Sequence, residues 1–197
     1  MRRWKRVDTA SGTRFRSALA SHEAALLESL VTSMVAMLEE RETSSPADEL
    51  EEITGFKTGN SRPPEDETMK RLLPDFFRPQ NDHPAGSGTA ESLNSALRSL
   101  HEPEIIAAKR HAAQRVLDTV PNGGGRFELT EDDAHEWAAA VNDVRLALGT
   151  MLDIGPEGPD GMPPDHPMAG HYDVYQWLTV LQEYPVSYTH LTLPTKA

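Results

Sequence analysis

The stretch from Thr130 to Tyr184 constrains the fold of this 197-residue chain more than any other. Between Glu131 and Leu152, Trp137, Val141, Val144, Leu148 and Met151 recur at three- and four-residue spacings, which puts them on one face of a helix. Thr130 precedes that run and Asp133 follows three residues later, the spacing of a capping box that satisfies the first free backbone N–H groups. A Gly/Pro-rich turn comes next. From near Met168 a second helix carries Trp177, Val180 and Leu181 as its apolar stripe, with Val174, Leu178 and Tyr184 extending it sideways. Helices patterned this way must bury those faces against other elements, so the segment specifies a helical packing unit. Neither helix carries a catalytic motif.

Upstream, WKRV (4–7) and TRFRSAL (13–19) flank the turn-forming DTASG and predict a β-hairpin, with Trp4 and Arg6 on one face and Phe15 packing beneath from the partner strand. Ser21 caps a helix expected over 22–42, in which Leu27, Leu30, Val31, Met34, Met37 and Leu38 repeat at helical spacing. Ser45-Pro46 with Asp48 starts a short helix over 46–54, which Gly55 stops. ETMKRLL forms one or two turns before Pro74, and the composition of 78–89 is that of a flexible linker. A helix over 90–100 is expected to break at HEPE, and another to run from Pro103 through Leu117. PNGGGR is a turn, and RFEL a short extended segment before Thr130. The fold class is mainly α: a helical bundle with a short N-terminal β-hairpin, a single domain over 1–184, with its core around Leu30, Met34, Ile106, Val141, Leu148 and Trp177.

Charge bears on partners. The net charge is −12, which argues against general affinity for nucleic acid, because phosphate binding is supplied by Lys and Arg. The distribution is uneven. Residues 1–16 hold Arg2, Arg3, Lys5, Arg6, Arg14 and Arg16 against Asp8, so this arm carries +5 and the remainder −17. Arg3, Lys5, Arg14 and Arg16 are therefore candidate contacts to nucleic acid or to a partner, the competing reading being a solvated face or pairing with the acidic body. No run approaches the roughly 18 apolar residues of a membrane span, and a cytoplasmic, soluble protein is expected. Cysteine is absent, which excludes disulfides, thiolate metal sites and cysteine nucleophiles.

Other polar groups read first as structure. His166, His171 and Asp173 lack a ligand spacing and suit a solvated helix start. Glu102 and Glu104 flank Pro103 as first-turn acids that offset a helix dipole. Gly123–Gly125 lack the Lys-Ser/Thr of a phosphate loop. No catalytic, cofactor or metal residue is assigned. Arg145 lies at the edge of the buried stripe, and a buried guanidinium must be paired, so a structural ion pair with Glu102 or Glu104 is expected.

RFELTEDD, NDVRLALGTMLDIGP and DVYQWLTVLQEY resemble blocks of the AosR-type oxidative stress regulators, an actinobacterial family long known only as a domain of unknown function. The resemblance continues upstream through WKRVDTASGTRFRSALASHEAALLESL, SSPADELEEITG and SALRSLHEPEIIAAKR. It implies a non-enzymatic regulator acting with a sigma factor or RNA polymerase on cysteine-biosynthesis genes, with promoter DNA met through the basic arm. A Clp-type proteolytic adaptor and a small enzyme of sulfur metabolism are the alternatives. The family's sensing by an intramolecular disulfide is impossible in a chain without cysteine. Residues 185–197, PVSYTHLTLPTKA, resemble instead a translated sequencing adapter. They are expected to interrupt the last helix at Pro185 and to stand outside the fold as a non-native tail.

Overall fold

A computed structural model describes residues 2–45, 58–77, 88–155, 163 and 165–189, with side chains described from Trp4 to Gln182 within those spans. The elements are strands β1 (Arg2–Thr9) and β2 (Gly12–Leu19), helices α1 (Ser21–Thr43), α2 (Glu67–Leu72) and α3 (Gly88–Thr119), strand β3 (Gly125–Leu129), and helices α4 (Glu131–Met151) and α5 (Ala169–Thr189). The fold is mainly α with a small N-terminal antiparallel sheet. It divides into two compact units, one drawn from Met1–Met34 and His111–Ala197, the other from Val35–Arg110. The helix expected over 46–54 and residues 78–87 of the expected linker lie outside the described residues, as do 190–197 of the tail.

In the first unit, β1 and β2 form the expected hairpin around Ala10–Ser11, closed by the Thr9 hydroxyl, which donates to the Gly12 carbonyl at 2.7 Å. RFEL becomes a full third strand: β3 pairs antiparallel with the free edge of β2, Phe15 facing Leu129 and Arg16 facing Glu128. The turn into β3 requires glycine at position 124. There φ is +84°, and a Cβ would lie 2.7 Å from the Ser21 backbone nitrogen. The inward pleat carries Trp4, Phe15, Leu19 and Leu129, all buried, and half-buried Phe127. Trp4 stands edge-on to Phe127 and to Trp137 of α4 at centroid distances of 5.3 and 6.0 Å, and Phe127 stacks on Trp137 at 5.1 Å. Both buried indoles find acceptors: Trp137 donates to Thr119 Oγ1 at 2.7 Å and Trp4 to the Leu181 carbonyl at 3.1 Å.

The capping box at Thr130 and Asp133 forms as the sequence predicts, and Arg115 of α3 also binds the Asp133 carboxylate. Burial pushes that carboxyl up, but the bonds from Arg115 and Thr130 outweigh it and hold the group below the ordinary carboxylate range. Of the residues expected in the core, Met34, Val141, Leu148 and Ile106 are buried, whereas Leu30 and Trp177 are half-buried. The inner stripe of α5 is Leu178 and Leu181 in place of Trp177 and Val180, the last being 46% exposed. Pro185 does not interrupt α5, whose backbone runs on to Thr189. Having no N–H, Pro185 leaves the Leu181 carbonyl without its partner one turn on, and the Trp4 indole uses it.

The second unit corrects the sequence reading most plainly. No break occurs at HEPE: α3 is one helix with Pro103 inside it. Pro103 cannot donate to the Ser99 carbonyl, and the Gly59 N–H takes that acceptor at 2.7 Å. The loop comes close enough only because residue 59 is glycine, since a Cβ there would sit 2.7 Å from Pro103 Cδ. A side-chain bond also crosses the same turn, with Arg98 Nη1 donating to Glu102 Oε2 at 2.9 Å. Glu102 further accepts from Arg41 Nε at 2.8 Å and Arg41 Nη2 at 3.3 Å, so its carboxylate ties the end of α1 to the middle of α3. Arg98 reaches on to the Leu73 carbonyl at 3.1 Å and to Asp75 at 2.7 Å, while Arg110 forks onto Glu39 and Glu42. Around this network Leu38, Met69, Leu72, Leu73 and Ile106 form the apolar core.

Glu102→Leu takes the carboxylate from Arg41 and leaves Arg98 only Asp75, and should lower the unfolding free energy by about 3–5 kcal/mol in urea titrations. Gly59→Ala forces the loop off Pro103 and should destabilise by about 1–3 kcal/mol, with no change in the bonding of Glu102. Because the Asp133 pKa is depressed on folding, its contribution is complete above the unfolded value and is lost as pH falls through the lower folded one. Asp133→Asn should therefore flatten the fall of Tm between about pH 5 and pH 2; an equally steep fall would assign acid sensitivity elsewhere.

Candidate interaction surface

The outward face of the sheet gathers the basic arm. Phe15, Ser17 and Leu19 of β2 point inward, so Arg14, Arg16 and Ala18 point out. The register sets Lys5 opposite Arg16 and Arg16 opposite Glu128. Arg126, next but one along β3 and paired with Ala18, joins the same exposed face. Four cations, Lys5, Arg14, Arg16 and Arg126, thus surround one carboxylate, Glu128. Arg16 Nε donates to Glu128 at 2.5 Å, and Arg14 Nε lies 3.6 Å from its other oxygen. Lys5 and Arg126 have no partner among the described residues.

Sequence reasoning reached Lys5, Arg14 and Arg16, while the side chain of Arg3 lies outside the described residues. It missed Arg126 and Glu128, because nothing in RFEL indicates that the segment pairs with β2; the alternation of Phe127 and Leu129 was the one available signal. Arg6 faces Phe15 across the strands and sits 3.5 Å from Asp8. These are solvent-screened pairs, each worth about 0–1 kcal/mol, so an anionic ligand can displace them.

Arg145 does not form the expected pair with Glu102 or Glu104. Its Nη2 donates to Asn142 Oδ1 at 3.2 Å, one turn back on α4, and its guanidinium lies 5.9 Å from the Tyr175 ring centre on α5. Glu102 is saturated by Arg41 and Arg98, and Glu104 is exposed. The Tyr175 ring face and the Asn142 side chain take the place of the carboxylate that the pairing expected from sequence assumed. Arg145 Nε remains buried without a hydrogen bond. His166 Nδ1 accepts from the Met168 N–H at 3.1 Å at the start of α5, and His171 and Asp173 are exposed. Among the described residues no group of three or more His, Asp or Glu is placed to hold a metal ion, and no helix is long and apolar enough to cross a membrane.

The chain is similar to proteins named oxidative stress regulator AosR from Mycobacterium tuberculosis and Mycobacterium bovis, each 64% identical over 189 residues, covering 94% of this chain and 87% of theirs. A relative from Mycobacterium leprae is 59% identical over the same shares. No solved structure matches. The family model described as a domain of unknown function, DUF2017, matches residues 1–188, and the chain belongs to that family.

Proposed function

We propose that this chain is a non-enzymatic regulator of the oxidative stress response that works by macromolecular contact. The observation that carries the reading is 64% identity, over 94% of the chain, to relatives named as oxidative stress regulators. The basic sheet face supplies a surface for promoter phosphates, and the acidic remainder supplies one for a sigma factor or RNA polymerase serving cysteine-biosynthesis genes. These 197 residues hold no cysteine, so they cannot themselves form a disulfide.

Affinity capture with the full chain from oxidatively stressed actinobacterial cells should recover sigma factor and polymerase subunits. Recovery of a Clp subunit would assign it to proteolysis, and recovery of none of these would remove the reading. Replacement of Arg3, Lys5, Arg14 and Arg16 by Ala should abolish binding to a promoter duplex, whose log-log salt slope of about −3 to −4 corresponds to up to four phosphate contacts. Glu128→Gln should tighten that binding by freeing Arg14 and Arg16. An unchanged slope in the fourfold variant would rule the arm out.

A further inference from the structure

Among the described residues only six large apolar side chains are exposed, and four of them, Phe76, Phe77, Leu93 and Leu100, lie in one part of the second unit. The backbone of 73–77 is fixed along α3 at two points. Arg98 holds the Leu73 carbonyl and the Asp75 carboxylate. Asn94 grips Phe77 from both sides, accepting its N–H at 2.8 Å and donating to its carbonyl at 2.9 Å. Phe76 meets His101 at 6.0 Å between ring centres, and Leu93 and Leu100, seven residues apart, share the neighbouring face of α3. Beside Phe76 is a cavity of about 210 Å3 whose apolar wall is Leu73, Pro74, Phe76 and Ile105, with the mutually paired Asp75, Arg98 and Glu102 completing the lining. Two phenylalanines 38% and 36% exposed, held by backbone bonds beside an apolar recess, are preorganised in the manner of binding hot spots.

The surrounding charge identifies the partner. In the described parts of 73–104, Arg98 is buried between Glu102 and Asp75, which neutralise it, and the exposed charges left over, Glu91 and Glu104, are acidic. We propose that this surface docks a basic amphipathic segment of a partner protein, with one apolar side chain in the recess beside Phe76 and Lys or Arg facing Glu91 and Glu104. The proposal deepens the reading of the chain as a contact regulator and rests on it. An acidic partner, or a nucleic acid, would meet repulsion here.

The test uses the full chain and two synthetic peptides of about 15 residues sharing Leu and Phe at i, i+3, i+4 and i+7. One carries Lys at the flanking positions and the other Glu, and binding is read by fluorescence anisotropy. The Lys peptide should bind and the Glu peptide should not. Phe76→Ser with Phe77→Ser should weaken the Lys peptide roughly tenfold or more, and Leu100→Ser, an uncharged change at a position 65% exposed that leaves the Arg98 and Asn94 bonds intact, should weaken it in the same direction. Glu91→Lys with Glu104→Lys should reverse the preference between peptides. Equal binding of both peptides, or binding indifferent to all these substitutions, would overturn the proposal. A dimer of the wild-type chain in sedimentation that Phe76→Ser with Phe77→Ser dissociates would also overturn it, giving the patch to self-association. The peptide result is independent of affinity capture, so failure of the docking surface and failure of the regulatory reading are separately visible.

Discussion

A carboxylate as fully enclosed as that of Glu102 is tolerated only when its charge and lone pairs are met, and the second unit is arranged to do this. Arg41 arrives from the end of α1 and Arg98 from one turn earlier on α3, giving the carboxylate three N–H donors. Each guanidinium then turns a further donor to backbone, Arg41 to the Arg62 carbonyl and Arg98 to that of Leu73. The irregular chain on both sides of α2 is thereby fastened by charged groups whose first partner is one buried acid. An apolar residue at 102 would leave Arg41 without its carboxylate and Arg98 with only the half-exposed Asp75, so both ends of the network weaken together.

Backbone hydrogen bonding near the same residue follows a second constraint. A proline within a helix orphans a carbonyl one turn earlier, and an orphaned carbonyl in a packed setting must find a donor. At Pro103 that donor is the N–H of Gly59, and at Pro185 the acceptor left by the helix is used by the indole of Trp4. Both donors come from far away in sequence. In each case the helix continues through a residue that local rules treat as a stop, because tertiary contacts replace the missing bond.

The sheet shows how a net charge of −12 coexists with a basic surface. The inward pleat is committed to an aromatic cluster, so the alternating positions have no core to enter and their charges collect outside. Glu128 shields two of the four cations there and leaves Lys5 and Arg126 without a partner among the described residues. The apolar and acidic character of Phe76, Phe77 and the exposed side of α3 is of the opposite kind, so the two units carry chemically distinct surfaces.

Features set by neighbours along the chain are legible in the amino-acid sequence by itself: the hairpin, α1, the capping box and length of α4, and the onset of α5 all arise from spacing and local hydrogen bonding. The resemblance of RFELTEDD and its companion blocks likewise points to the family to which the chain belongs. Tertiary structure was needed for choices among partners equally compatible with the local pattern. Arg145 is recognisable in sequence as a group needing a partner, and Glu102 reads there as a first-turn acid, yet only the folded chain could give Glu102 to Arg41 and Arg98 and set Arg145 near Tyr175. The same holds for β3 as the third strand and for α3 passing through Pro103. Local sequence decides where a helix or strand is favourable to form, whereas long-range packing decides which distant donor, acceptor or ring satisfies what that element leaves unpaired.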